Sequence, residues 1–237
     1  MISNDLQILQ LLRLVSPALP VGAFAYSQGL EGGVEQGWIQ NDQDSLQWIS
    51  GVLQNSIANL DLPALYWQKK MIENNEIEAF YHLNDCIFAY RETSEFRLES
   101  HQMGQALLRL LRDTQSDVNV DDPEAVHTVL YDKAPQQIDW VSAFAIAASS
   151  VKLSDQQALL GYAWAWCETQ VAAAIKLVPL GQTQGQKLLI NLTETIATLV
   201  EDLLANMPDK DKIGAISPNL TIISSLHETQ YSRLFRS

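Results

Sequence analysis

Apolar residues recur at steps of three and four along almost the whole chain, and strict apolar–polar alternation is scarce. Steps of that size line up on one face of an α-helix, whereas a half-buried strand needs a period of two. The pattern therefore predicts helices and leaves little sequence for a sheet. Leu46, Ile49, Leu53, Ile57 and Leu60 form one such stripe, and Leu189, Leu192, Ile196, Leu199 and Leu203 form another. Leu98, Met103, Ala106, Leu107, Leu110 and Leu111 make a third apolar face, followed by the polar run Arg112 to Asp122.

Local signals place the ends of these helices. Ser154 with Gln157 three residues on reads as a capping box, opening a helix that runs toward Val178. Pro63, Pro123 and Pro179 fall where helices are expected to start or stop, because proline lacks the N–H that continues the ladder. Lys176 sits at the end of its helix, where positive charge complements the last carbonyls; Pro179 then stops the helix and Gly181 permits the turn. Alanines between Ala143 and Ala174 allow close helix packing. The expectation is an all-α fold in a single domain over 1–237, with about eight to ten helices of ~11 residues.

Two segments break the pattern. Ser16 to Gly37 holds two prolines and five glycines among aromatics. The stretch from Met207 to Ser237 has no strong amphipathic stripe. Both are expected to be irregular segments that carry specific geometry or contacts.

Composition excludes several classes of function. Hydrophobic residues make up 47% of the chain, enough to offset ordering entropy. The formal net charge of -13 opposes nucleic acid or an anionic membrane face as partner, since that affinity comes from Lys and Arg neutralising phosphates. No apolar stretch reaches the ~18 residues of a membrane span. Trp140 to Val151 comes nearest and is broken by serines. The N-terminus lacks a basic segment with a cleavage site, and Cys86 and Cys167 are too few and too far apart for a disulfide framework. These features lead to the expectation of a cytoplasmic protein with reduced thiols.

No catalytic set emerges from the residues. Gly181-Gln-Thr-Gln-Gly185-Gln-Lys187 has the composition of a phosphate loop but the wrong spacing, and no strand precedes it. Ala25-Tyr26-Ser27-Gln28-Gly29 resembles a nucleophile elbow, yet that turn works above a parallel sheet that is not expected here. Ser27 reads instead as the N-cap of a helix from Gln28 to Gly37. His82 and Cys86 lie one helical turn apart and could hold a metal ion only weakly, since a structural site wants four ligands. His101, His127 and His227 are scattered. Glu92 with Glu95, and Asp121 with Asp122, read as solvated faces. The six tryptophans read as core and interface anchors. Serine hydrolysis through Ser27 and nickel carriage by His82 and Cys86 stay open as alternatives; otherwise no catalytic residue, metal ligand or cofactor is assigned.

Several blocks in register carry a resemblance. Leu11-Leu12 followed by Ser16-Pro-Ala-Leu-Pro-Val-Gly-Ala-Phe-Ala-Tyr-Ser-Gln-Gly-Leu-Glu31 resembles the N-terminal signature of the urease accessory protein UreF family. His227-Glu-Thr-Gln-Tyr-Ser-Arg-Leu-Phe-Arg-Ser237 is similar to that family's C-terminal tail. Arg91-Glu-Thr-Ser-Glu95, Gln102-Met-Gly104 and Lys176 to Gly185 follow in the family's order. Ala23-Phe24 is a mild departure, since many members carry Gly and an aromatic there. The resemblance implies an all-α, non-enzymatic protein that binds UreD (also called UreH) and recruits and regulates the GTPase UreG. The assembly would dock on apo-urease for nickel insertion, and some members are implied to be homodimers.

Under that resemblance the partner-binding residues are Tyr26, Gln28, Glu31, Lys176, His227, Glu228, Gln230, Tyr231, Arg233, Phe235 and Arg236. Arg233, Arg236, Arg91 and Arg97 are the candidates for an arginine acting on the GTPase, or for salt-bridged docking. Tyr231 and Phe235 with Arg233 and Arg236 combine the residue types enriched at binding hot spots. The tail from 207 to 237 is therefore expected to dock a partner, and within it Ser225 to Ser237 to be mobile or loosely packed when free and to order on binding UreD.

Overall fold

The computed structural model describes residues 4–115, 137–215 and 217–237, and among them there is no strand. Helix α1 spans Asn4–Leu14, and a short α2 spans Leu30–Glu35. Helix α3 (Asp42–Val52) continues through wider π-type turns over Leu53–Asp61 into α4 (Leu62–Glu73). Then come α5 (Ile77–Ala89), α6 (Ser94–Gln115), α7 (Trp140–Ser150), α8 (Asp155–Leu177), α9 (Gln182–Ala205) and α10 (Pro218–His227). Asp121, Asp122, Pro123, His127 and most of the polar run after Arg112 lie outside the described residues.

The core forms around α7 and α8. Every residue of α7 from Val141 to Ser149 is buried, and the helix packs on α6 and α4. Its alanines let those neighbours approach closely. Gly104 of α6 shows how closely, since a Cβ there would stand 2.7 Å from the backbone oxygen of Ile138. Helix α8 is capped by Ser154 and Gln157 in the expected reciprocal pair and ends at Leu177 before Pro179. Helix α9 pairs with it through Leu188, Leu189, Leu192 and Ile196.

One expectation about helix ends holds, and one about helical phase needs correction. Pro63 stands in the first turn of α4, where the π-type turns return to α-helix. The carbonyl of Asn59, four residues earlier, accepts instead from the backbone N–H of Gly214 at 3.2 Å. The tail segment thus fills the bond that proline cannot make. Leu98 is 55% exposed, outside the apolar face that Met103, Leu107, Leu108 and Leu111 bury. At its start α6 turns two carboxylates inward, Glu95 and Glu99, which fall in phase with Met103 and Leu107.

Candidate partner-docking site

The irregular N-terminal segment is built on backbone that few residues adopt. Gly22 (φ 82), Gln28 (φ 51) and Gly29 (φ 83) are left-handed, and a single 3-10 turn spans Ala23–Ala25. Helix α2 therefore starts after Gly29, not at Gln28. Ser27 still serves its first turn, because its Oγ accepts from Glu31 N–H at 3.2 Å. The same hydroxyl donates to the carbonyl of Ser237 at 2.6 Å, and the Ser27 N–H donates to that oxygen at 2.8 Å. Ser27 is buried and engaged twice, as a clamp for the chain's last residue.

The tail is docked, contrary to the expectation of a loose segment. Residues 218–227 form a helix despite their weak amphipathic pattern, with Ile223, Ser224 and His227 buried. Ile223 lies so close to α2 that a Cβ on Gly32 would stand 2.6 Å from its methyl. After α10 the chain runs back under the N-terminal segment, where Phe235 and Ser237 are buried and Arg236 N–H donates to Ala25 O at 2.8 Å. The physical reason escapes a periodicity argument: this segment is held by polar groups from distant helices, not by an apolar stripe.

Those polar groups are buried carboxylates. Glu31 accepts from the backbone N–H of Leu234 at 2.7 Å and of Phe235 at 2.8 Å. Glu95 accepts from Arg233 Nη1 at 2.8 Å. His227 lies between them, with Nδ1 2.8 Å from Glu95 Oε2 and Nε2 3.3 Å from Glu31 Oε2. Glu99 accepts from Ser237 Oγ at 2.7 Å and from Gln28 Nε2, while Gln28 Oε1 accepts from Trp166 Nε1. Burial pushes the Glu99 carboxyl up to about 7, against the bonds from Gln28 and Ser237. Burial also raises the Tyr26 phenol, although a bond from Arg236 opposes it; its hydroxyl donates to Gln102 at 2.6 Å. Glu228 accepts from Ser94 N–H at 3.1 Å and Oγ at 2.6 Å at the start of α6, and the bond from Ser94 holds its carboxyl below the usual value.

The structure thus brings nearly all the expected site residues to one place, in two roles. Tyr26, Gln28, Glu31, His227 and Phe235 are inside and hold the tail. Tyr231 is fully exposed, and Leu234 and Phe24 beside the same segments are 64% and 74% exposed. Lys176, also exposed, places its Nζ 5.4 Å from the Phe235 ring centroid. Gln230 makes local bonds only, donating to Ser232 O at 2.8 Å. A cleft of about 210 Å³ lies alongside, lined by Leu14, Val21, Phe24, Ala173, Lys176 and Phe235 among others.

Sequence reasoning missed Glu95, Glu99, Ser27 as a clamp, Leu234 and Phe24. Glu95 was expected on a solvated face and is buried with two partners. The signal was available: carboxylates in phase with an apolar stripe need buried partners.

Arg91 is likewise removed from the candidates for work on a GTPase. It donates to Asp61 at 2.6 Å and to both oxygens of Asp139 at 3.0 and 3.1 Å. Burial works against its charge, but Asp139 and Asp61 hold the guanidinium firmly protonated. Asp139 also caps α7 through Val141 N–H at 2.9 Å and accepts from Ser100 Oγ at 2.7 Å. Arg97 is turned back on the same loop, donating to Arg91 O at 2.8 Å. His82 and Cys86 do meet on α5, Nε2 to Sγ 3.8 Å, but among the described residues no three His, Cys, Asp or Glu side chains gather to hold a metal ion. Gly181 is the N-cap of α9 in an all-helical setting. No described helix is long and apolar enough to cross a membrane.

The chain as a whole has counterparts among known proteins. The UreF family model matches residues 39–193. A urease accessory protein UreF from Marinomonas is 43% identical over 236 residues, covering 100% of this chain and 96% of the relative. Another from Pseudoalteromonas translucida is 40% identical over 235 residues (99% and 96%), and one from Alkalilimnicola ehrlichii is 42% identical over 231 (96% and 95%). With a family match over most of its length and relatives aligned end to end, the chain belongs to the UreF family.

Proposed function

We propose that the protein is a urease maturation adaptor that binds UreD (UreH), recruits and regulates the GTPase UreG, and guides nickel into apo-urease without being an enzyme itself. The observation that carries this reading is the latched tail. Its interior residues are spent on holding it, while Tyr231 and Leu234 stand outward next to Phe24 and Lys176. A solvated segment has no need of a fully exposed tyrosine or of buried carboxylates gripping its backbone, whereas rigid exposed aromatics beside an apolar cleft suit a partner's surface. UreD is the partner assigned to this face, and UreG and apo-urease are assigned to the assembly that follows, in the cytoplasm. A second copy of the chain is an additional partner in that scheme.

Capture experiments test the reading. The full chain is expected to retain UreD, and UreG in UreD's presence, and to support nickel-dependent urease activation. Tyr231→Ala and Leu234→Ala are expected to weaken UreD capture while the helical spectrum is unchanged. Retention of UreD at unaltered affinity by both variants would remove the tail face from the interface. Tight nickel binding by the isolated chain, lost in Cys86→Ala, would favour a metal carrier instead.

A further inference from the structure

We propose that His227 is a protonation-controlled latch for the C-terminal tail: its imidazolium, bridging Glu31 and Glu95, holds the tail on the helical body, and loss of the proton releases it. The latch stands on the tail's own contacts; its consequence for partner binding rests on the docking reading above.

Both ring nitrogens face carboxylate oxygens, at 2.8 Å and 3.3 Å, in a site with no solvent exposure of the ring. A neutral imidazole has one N–H and one lone pair, so either tautomer sets a lone pair against a buried carboxylate. Only the doubly protonated ring gives a donor to each. The two carboxylates are the same ones that grip the tail, Glu31 through the N–H groups of Leu234 and Phe235, and Glu95 through Arg233. Two buried negative charges are thus matched by two positive ones, His227 and the Arg233 side chain, which is 40% exposed. Without the His227 proton the buried pair is left one charge short, an arrangement whose cost falls if the tail lifts and water reaches the carboxylates.

Among the charged and titratable groups of the neighbouring elements, Glu99 acts in the same direction. From α6, Glu99 lies one turn beyond Glu95 and holds Ser237 Oγ. Burial holds its carboxyl up to about 7, so a rise in pH places a new charge under the chain's end. From the N-terminal segment, Tyr26 is bonded by Arg236. From α10 itself, Glu228 is occupied with Ser94, and Arg97 is near it. Closure is therefore favoured by protonation and release by its loss.

The test is backbone amide exchange at Leu234 and Phe235 in the full chain between about pH 6 and about pH 8.5, each rate divided by that of an unstructured peptide at the same pH. Protection is expected to fall by at least ~10-fold as pH rises. His227→Gln should lower protection at acid pH and flatten most of the profile, and adding Glu99→Gln should remove the remaining slope. A flat wild-type profile, or a His227→Gln profile that keeps the full wild-type fall, overturns the latch. Ring ¹⁵N shifts of His227 in the wild-type chain provide a check that does not depend on any variant folding. Imidazolium shifts at about pH 6 support the latch, and a neutral ring there refutes it. UreD capture at both pH values separates the two proposals. Tail protection that responds to pH while capture fails under every condition would leave the latch standing and remove the docking reading.

Discussion

Arg91 and His227 each stand between two buried carboxylates, yet the two clusters do different work. Arg91 joins Asp61 and Asp139, whose side chains are 3% and 0% exposed, and both belong to the helical interior. Nothing in that cluster leaves without unfolding helices. His227 joins Glu31 and Glu95, but what those carboxylates also hold is a short run of chain reaching Ser237. A guanidinium keeps its proton at any ordinary pH, and an imidazole does not. One cluster is permanent because its cation and its surroundings are fixed; the other couples a titrating cation to a segment able to move.

The sharpest way to break this contrast is Arg91→Ala. It strands two buried carboxylates and is expected to cost about 3–5 kcal/mol in denaturant unfolding, enough to threaten the whole fold. A small loss would mean that the cluster is no more structural than the tail.

The next largest effect belongs to Glu99. Its folded value of about 7 lies above the ordinary 4.5, so between those pH values the folded chain holds a proton that the unfolded chain has released. Stability contributed by this group is therefore full below about 4.5, declines as pH rises, and is lost above about 7; the gap corresponds to about 3 kcal/mol. Glu99→Gln should flatten that part of the stability–pH curve, measured by denaturation at successive pH values.

Tyr231→Ala sharpens the contrast from the other side. Being fully exposed, Tyr231 should change stability by no more than ~0.5 kcal/mol, yet its loss should cost about 1–4 kcal/mol of UreD affinity in a titration. The smallest expected effect is Lys176→Ala. Loss of its contact with the Phe235 ring should weaken tail protection by about 0.5–1 kcal/mol, read by amide exchange, with global unfolding unchanged.

Much of the frame is legible from spacing. The stripes of α3 and α9, the capping box at Ser154 and the stop at Pro179 all appear where local chemistry places them. The site was legible only in part. Tyr26, Glu31, His227 and Phe235 stood out as belonging to two unusual segments, but nothing local shows that the segments meet. Glu95 looked like surface charge because its partners, His227 and Arg233, lie more than a hundred residues away in sequence. Leu98 looked like core because an apolar residue near a stripe counts toward it until neighbouring helices decide which arc is covered.

By itself the amino-acid order determined what depends on neighbours within a turn or two: helical periodicity, caps, proline stops, the absence of alternating strands and the excess of negative charge. The tertiary structure alone decided which carboxylates are buried, which cation each receives, and that the last residues close over the N-terminal segment. Helical phase is set by bonds four residues apart, so it is written locally. Burial of a charge is set by what packs over it, and here that is chain from the opposite end of the molecule.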